Sequence, residues 1–164
     1  MGMAPPPAVM VRKGTGGDIL ACLSIAVALP AYFTRTGLAE MKCQLPLQDV
    51  YVADEGTTVV GFAAIERKNA AVAELAWIAV AADRHGRGTG RALLAQVDAD
   101  LLRAGLRLLE VKTLADTAGY EPYIRTRRFY ALAGFVHLDT VDPFPGWDPG
   151  NPCAILVKVL GDGA

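Results

Sequence analysis

No two cysteines in this sequence lie close enough to form a CxxC pair. Cys22, Cys43 and Cys153 are three in all and far apart. That excludes a disulfide framework and a zinc site of ordinary spacing, and it fits a reducing compartment, the cytoplasm. Each reads as a small buried hydrophobe. Histidine is scarcer still: His85 and His137 are the two present, so no metal centre is expected. Excess charge of one sign is lacking. With 16 basic and 17 acidic residues the formal net charge is −1, and no global field favours nucleic acid. Long hydrophobic runs are also missing. The longest, Ile19 to Leu29, is about half the length of a membrane-spanning helix. Met1 to Pro7 is apolar and Pro-rich but lacks the basic-then-apolar pattern of a signal peptide, and it reads as a loose tail. No repeat recurs at a fixed period.

What remains is a globular composition, 52% hydrophobic and 20% charged over 164 residues. That length suits one domain with a sizeable core, here residues 8–164. The chain is organised around Glu74 to Leu94. This stretch reads as a mostly apolar strand, then a basic glycine-rich loop, then the first turns of a helix. Glycines let a backbone turn tightly and approach a ligand closely. The loop enters a helix N-terminus, where free N–H groups and the helix dipole favour an anion. Arg84, Arg87 and Arg91 add positive charge. A site for a phosphate-bearing cofactor follows.

The rest of the chain supplies a frame. Ala8 to Arg12 is a short strand. The loop from Lys13 to Gly17 holds Gly14 and Gly16 but lacks the spacing of a nucleotide-phosphate loop. Asp18 caps a helix from Ile19 to Leu29, which Pro30 ends. A second helix is expected over Ala31 to Cys43. Three strands follow, Val50 to Ala53, Thr57 to Glu66 and Ala71 to Val80, joined by tight turns into an antiparallel meander. Gly88 to Ala104 is helical and amphipathic. Leu106 to Thr113 is a strand that pairs in parallel with the one before the helix. Pro122 starts a helix to Ala133, and Gly134 closes it. Phe135 to Val141 and Ala154 to Leu160 are strands, separated by a Pro/Gly-dense loop from Asp142 to Pro152. The order is β-α-α-β-β-β-α-β-α-β-β, an α/β fold with a mixed sheet and helices on both faces. A dinucleotide site of the Rossmann type does not fit. Glu110 lies about 20 residues past the loop, as that fingerprint asks, but the third glycine is missing. Counting from Gly86 the position holds Arg91, and from Gly88 it holds Leu93.

The loop and the element order resemble the GNAT superfamily of N-acetyltransferases. Val80 to Leu94 is similar to its acetyl-CoA motif, (Arg/Gln)-x-x-Gly-x-(Gly/Ala). Gly88 and Gly90 match, while His85 stands where Arg or Gln is usual. Arg128-Phe129-Tyr130-Ala131-Leu132-Ala133-Gly134-Phe135 resembles the family's helix-to-strand junction. Trp147 to Lys158 looks like a bacterial subgroup. The resemblance implies a mixed, mostly antiparallel sheet of six to seven strands flanked by about four helices. It also implies acetyl-CoA as cosubstrate and no metal. The acceptor would be the primary amine of a small molecule or peptide, a homodimer is compatible, and neither nucleic acid nor membrane is implied.

The chemistry to explain is attack of an amine on a thioester. An alkyl ammonium has a pKa of ~10 and must first lose a proton. Glu74 stands where many family members carry their catalytic glutamate, and it is the candidate base. Its other reading is an acid at the sheet paired with a nearby Lys or Arg, and Glu110 is a rival on the adjacent strand. Tyr130 stands where the family places its general acid, which protonates or hydrogen-bonds the leaving thiolate. Backbone N–H groups at Ile78, Ala79 and Val80 would stabilise the thioester oxyanion beside the pantetheine arm. His85, Gly86, Arg87, Gly88, Thr89, Gly90 and Arg91 would hold the pyrophosphate. Tyr120, Tyr123, Arg125 and Trp147 could line the acceptor site or simply pack loops. A non-catalytic acyl-CoA-binding module on the same fold is the alternative; the pairing of Glu74 with Tyr130 argues against it.

Overall fold

The computed structural model describes residues 2–5 and 8–161; of the N-terminal tail, Met1, Pro6 and Pro7 lie outside the described residues. Among the described residues, seven strands and four α-helices follow in the expected order. They are β1 (Met10–Lys13), α1 (Ile19–Val27), α2 (Arg35–Gln44), β2 (Asp49–Glu55), β3 (Thr58–Arg67) and β4 (Val72–Val80). Then come α3 (Thr89–Arg103), β5 (Leu108–Leu114), α4 (Pro122–Leu132), β6 (Val136–Val141) and β7 (Cys153–Val159). The strands form one mixed sheet in the order β1-β2-β3-β4-β5-β7-β6. The β1/β2, β5/β7 and β6/β7 pairs are antiparallel, and β4/β5 is parallel. The backbone divides into two compact units.

The first unit takes in the chain up to Ala64 together with Trp77–Gln96. In α1, Cys22, Ile25 and Ala26 are buried, and Leu29 continues that stripe past the helix end, at the i, i+3, i+4, i+7 spacing of one helical face. They pack with Met41 and Leu45 against Val50 and Val52 of β2 and Phe62 and Ala64 of β3. Burying each large apolar side chain here is worth about 1.5–3 kcal/mol, so this cluster sets how the helices sit on these strands.

Two helix starts differ from expectation. Asp18 does not cap α1 with its side chain. Its carboxylate accepts from Arg12 (2.9 and 3.0 Å) and from the Thr15 N–H (2.8 Å), and a 3-10 turn over Gly16–Asp18 precedes the helix. The second helix starts at Arg35, not Ala31. Thr34 caps it by accepting from the Gly37 N–H (3.0 Å), while Tyr32 and Phe33 turn back to the Leu29 carbonyl. A local cap outweighs the apolar pattern that suggested an earlier start.

The second unit takes Ile65–Ala76 and the chain from Val97 onward. In β5 the burial alternates: Leu109, Val111 and Thr113 are buried, and Leu108, Glu110, Lys112 and Leu114 are half-buried. That period of two assigns Glu110 and Lys112 to one face of the sheet. The parallel register runs from Val72 opposite Leu108 to Leu75 opposite Val111, which sets Glu74 directly opposite Glu110. The face of Leu109 also carries Lys158 of β7, whose ammonium pairs with Asp98 of α3. Helix α4 ends at Leu132, and past Gly134 the Phe135 N–H donates back to the Tyr130 carbonyl (3.0 Å), making a tight junction into β6.

Candidate active site

The first unit holds the glycine loop. Beyond β4, the Ala81 N–H donates to the Val60 carbonyl (2.8 Å), and a 3-10 turn over Ala82–Arg84 leads into the loop. Gly86 and Gly88 adopt φ of 74° and 83°, left-handed values that L side chains rarely tolerate. A Cβ at either position would meet nothing within 4 Å, so their outer side is open. The Ala92 N–H donates to the Gly88 carbonyl (2.9 Å) and closes the first turn of α3. The N–H groups of Thr89, Gly90 and Arg91 therefore lack partners inside the helix. Thr89 is 3% exposed, and its buried hydroxyl has no partner. At Gly61 of β3, a Cβ would come within 3.2 Å of the Ala79 carbonyl oxygen and 3.3 Å of Thr89 and Leu93. The β3 backbone thus sits tight against the end of β4 and the start of α3.

The basic residues of this loop separate into two kinds. Arg84 is committed to the protein. Its guanidinium grips the Glu55 carboxylate at 3.0–3.1 Å and pairs with Asp83, and the Glu55 hydrogen bond is the main reason its pKa is raised. Arg87 and Arg91 are exposed. His85 donates from Nε2 to the Val80 carbonyl (2.6 Å), since a carbonyl oxygen can only accept. The imidazole thus ties the loop to the strand end, which accounts for a histidine at this position. Ile78 and Val80 are half-buried and Ala79 is buried. Nearby, the Trp77 indole N–H donates to the Gln44 carboxamide (3.0 Å), and its ring meets Phe33 at 6.3 Å.

The second unit holds the acidic and phenolic groups. Glu74 is not alone. Its carboxylate holds the Lys68 ammonium at 2.9 Å and the Lys112 ammonium at 3.1 and 3.2 Å. Glu110 lies 3.7 Å from Lys112 and 4.0 Å from Lys68, so two acids and two ammonium groups alternate in one patch. Lys112 also stands 5.5 Å over the Phe144 ring, which meets Trp147 tilted at 59° with centroids 5.4 Å apart. The Pro/Gly-dense loop therefore lies against this charged patch. Tyr130 is buried, with its ring 5.5 Å from Phe129 and 5.4 Å from Phe135. Burial raises its pKa above the ordinary phenol value, with Tyr123 adding to the shift, so it stays protonated. Tyr123 in turn packs with Tyr120 at 5.9 Å, and Arg125 is exposed. His137 pairs with Thr140 on the exposed β6.

Lys68, Lys112 and Phe144 are the members of this patch that sequence reasoning missed. The signal for Lys112 was present as the i, i+2 spacing from Glu110 on one strand. Lys68 needed the turn between β3 and β4, where its N–H donates to the Val72 carbonyl (2.9 Å).

A sequence model described as an acetyltransferase (GNAT) domain matches residues 46–137, more than half of the chain. The chain belongs to the GNAT acetyltransferases. Among solved structures, this GNAT chain is similar to an acetyltransferase of the GNAT family from Desulfovibrio desulfuricans. The two are 27% identical, with a TM-score of 0.81 over 93% of this chain and 99% of that one. It shares its fold with the ribosomal-protein-S18-alanine N-acetyltransferase of Escherichia coli (20% identity, TM-score 0.74, 96% and 99% covered). It does so too with a GNAT acetyltransferase of Elizabethkingia anophelis that has acetyl-CoA bound (20%, 0.66, 93% and 98%). No curated protein matches it by sequence. Among the described residues no helix is long and apolar enough to cross a membrane.

Proposed function

We propose that this GNAT protein is an acetyl-CoA-dependent N-acetyltransferase that moves the acetyl group directly from the thioester to a primary amine, with residues 8–164 as its one catalytic domain. The observation that carries the reading is the glycine loop at the start of α3, left-handed and open at Gly86 and Gly88; the Glu74 carboxylate, paired with Lys68 and Lys112 as its other reading expected, holds primary ammonium groups within hydrogen-bond distance. A group that binds primary ammonium is suited to receive the acceptor and take its proton. Glu74 is the base in this reading.

The N–H groups at the start of α3 that have no partner within the helix, with the open backbone at Gly86 and Gly88, fit a pyrophosphate. Arg87 and Arg91 add charge there, and His85 holds the loop in place. Acetyl-CoA supplies the activated acyl group. Backbone N–H groups at Ile78 to Val80 stabilise the oxyanion. Tyr130 acts on the departing sulfur. Its pKa is raised, whereas a thiol ionises near ~8.5, so it serves first as a hydrogen-bond donor to the thiolate.

The test is release of coenzyme A thiol from acetyl-CoA with a broad panel of primary amines, on wild type and Glu74→Gln. Turnover with one amine class, reduced at least tenfold in the variant with acetyl-CoA binding retained, supports the reading. Saturable acetyl-CoA binding without transfer to any amine favours a binding module instead.

A further inference from the structure

The charged patch on the β4/β5 face holds Lys68 against the Glu74 carboxylate. Lys68 follows the last residue of β3, on the turn into β4, and its side chain is 34% exposed. Its ammonium is 2.9 Å from Glu74 Oε2. Lys112 shares the Glu74 and Glu110 carboxylates but is held from more sides. It sits within β5, its ammonium contacts both Glu74 oxygens, Phe144 lies over it, and it is 21% exposed. Lys68 is the ammonium of the pair that can leave or react. It is a primary ammonium on a flexible four-carbon stem, chemically the same group as an alkylamine acceptor.

From this juxtaposition we propose that Lys68 is itself a modification site, acetylated in cis by the protein's own active site. The inference rests on Glu74 being the base: the amine that Glu74 deprotonates is the amine that attacks. Lys68 Nζ gives one proton to Glu74 and attacks the thioester carbonyl carbon. The C–N bond forms, and the C–S bond breaks. The ammonium loses two protons in all; one ends on the coenzyme A sulfur and one goes to solvent. The product is the Nζ-acetyl amide and free coenzyme A, with no oxidant or further reactant needed. The Glu74 hydrogen bond raises the Lys68 pKa and so favours the ammonium, which makes loss of its proton the demanding step before attack. Acetyl-Lys68 has no charge to pair with Glu74, which leaves Oε2 open to an external amine.

The chain has five lysines: Lys13, Lys42, Lys68, Lys112 and Lys158. The other four serve as internal controls. The full-length protein is incubated with acetyl-CoA carrying a carbon-13 acetyl group and no added amine, and each lysine is read by peptide mass spectrometry. Label on Lys68 at least tenfold above every other lysine, lost in Glu74→Gln and absent from the same protein unfolded in urea, is the expected result. Lys68→Arg keeps the charge and should leave the intact mass unlabelled, which separates the effect from misfolding of the Glu74 variant. Label spread evenly over the lysines, or undiminished on Lys68 in Glu74→Gln, overturns the proposal. Calorimetry with acetyl-CoA and the amine panel run alongside. Binding and Glu74-dependent amine turnover with no label on Lys68 overturn the Lys68 proposal alone. Absence of acetyl-CoA binding overturns the acetyltransferase reading and this inference with it.

Discussion

His85 donates its Nε2–H to the Val80 carbonyl across 2.6 Å and so ties the glycine loop to the end of the strand that feeds it. The bond holds loop and strand end in one arrangement before any ligand arrives. A hydrogen bond of this kind contributes about 0.5–1.5 kcal/mol. His85→Ala should weaken acetyl-CoA binding by about two- to tenfold, read by calorimetry. His85→Gln keeps a donor and should recover most of the loss. Equal affinity in all three proteins would remove the loop-tying role.

Gly88 tests the backbone rather than a side chain. At φ 83° an alanine is strained, although its Cβ meets nothing. Left-handed backbone costs an L residue roughly 1–2 kcal/mol. For a chain of this length, Gly88→Ala should lower Tm by about 2–8 °C. It should also weaken acetyl-CoA binding. Gly16→Ala is the control, since it has open space and no positive φ, and it should leave Tm within a degree or two of wild type.

The two kinds of loop arginine predict opposite phenotypes. Arg84→Gln strips the Glu55 carboxylate, itself 9% exposed, of its cation and should lower Tm. Arg87→Gln should leave Tm unchanged and weaken acetyl-CoA binding, with a smaller salt dependence of the affinity. A thermal melt and a binding isotherm at two ionic strengths distinguish them.

Tyr130→Phe removes the hydroxyl and keeps the ring that Phe129 and Phe135 fix. Turnover should fall more than threefold, with acetyl-CoA affinity unchanged. The variant also changes alkaline stability. The folded phenol ionises above its unfolded value, so its stabilising contribution is present below pH ~10 and is lost as pH rises past it. Tyr130→Phe should lose less stability above pH ~10 than wild type in urea titrations.

Asp18 governs the acid side. Hydrogen bonds from Arg12, then the Thr15 N–H, lower its pKa from 3.8 to about 2. A carboxylate with a depressed folded pKa stabilises above its unfolded value, and that stability is lost as pH falls through the folded one. Between pH 3.8 and about 2, wild type should lose stability more steeply than Asp18→Asn. The urea midpoint against pH is the measurement.

Much of the fold was legible along the chain because its signals are local. Turn residues at Glu55-Gly56 and the glycines at Gly105 and Gly134 separate elements whose apolar periods differ. The glycine loop announces itself because left-handed backbone restricts which residues can stand at Gly86 and Gly88. Element ends were harder to read. The second helix begins at Arg35, after Thr34, whose side-chain oxygen competes with an apolar pattern that runs back to Ala31.

By itself, the sequence determined the order of strands and helices, the glycine loop at a helix N-terminus and the family. These depend on residue type, backbone preference and spacing within short windows. Only the tertiary structure decided what surrounds Glu74. Sheet register set Glu110 opposite it, strand alternation brought Lys112 to the same face, and the turn after β3 returned Lys68 to its carboxylate. It also decided that Arg84 serves Glu55 and that His85 serves Val80. Ion pairs and hydrogen bonds are set by distances of a few ångströms between residues up to tens of positions apart, and only a folded backbone sets those distances.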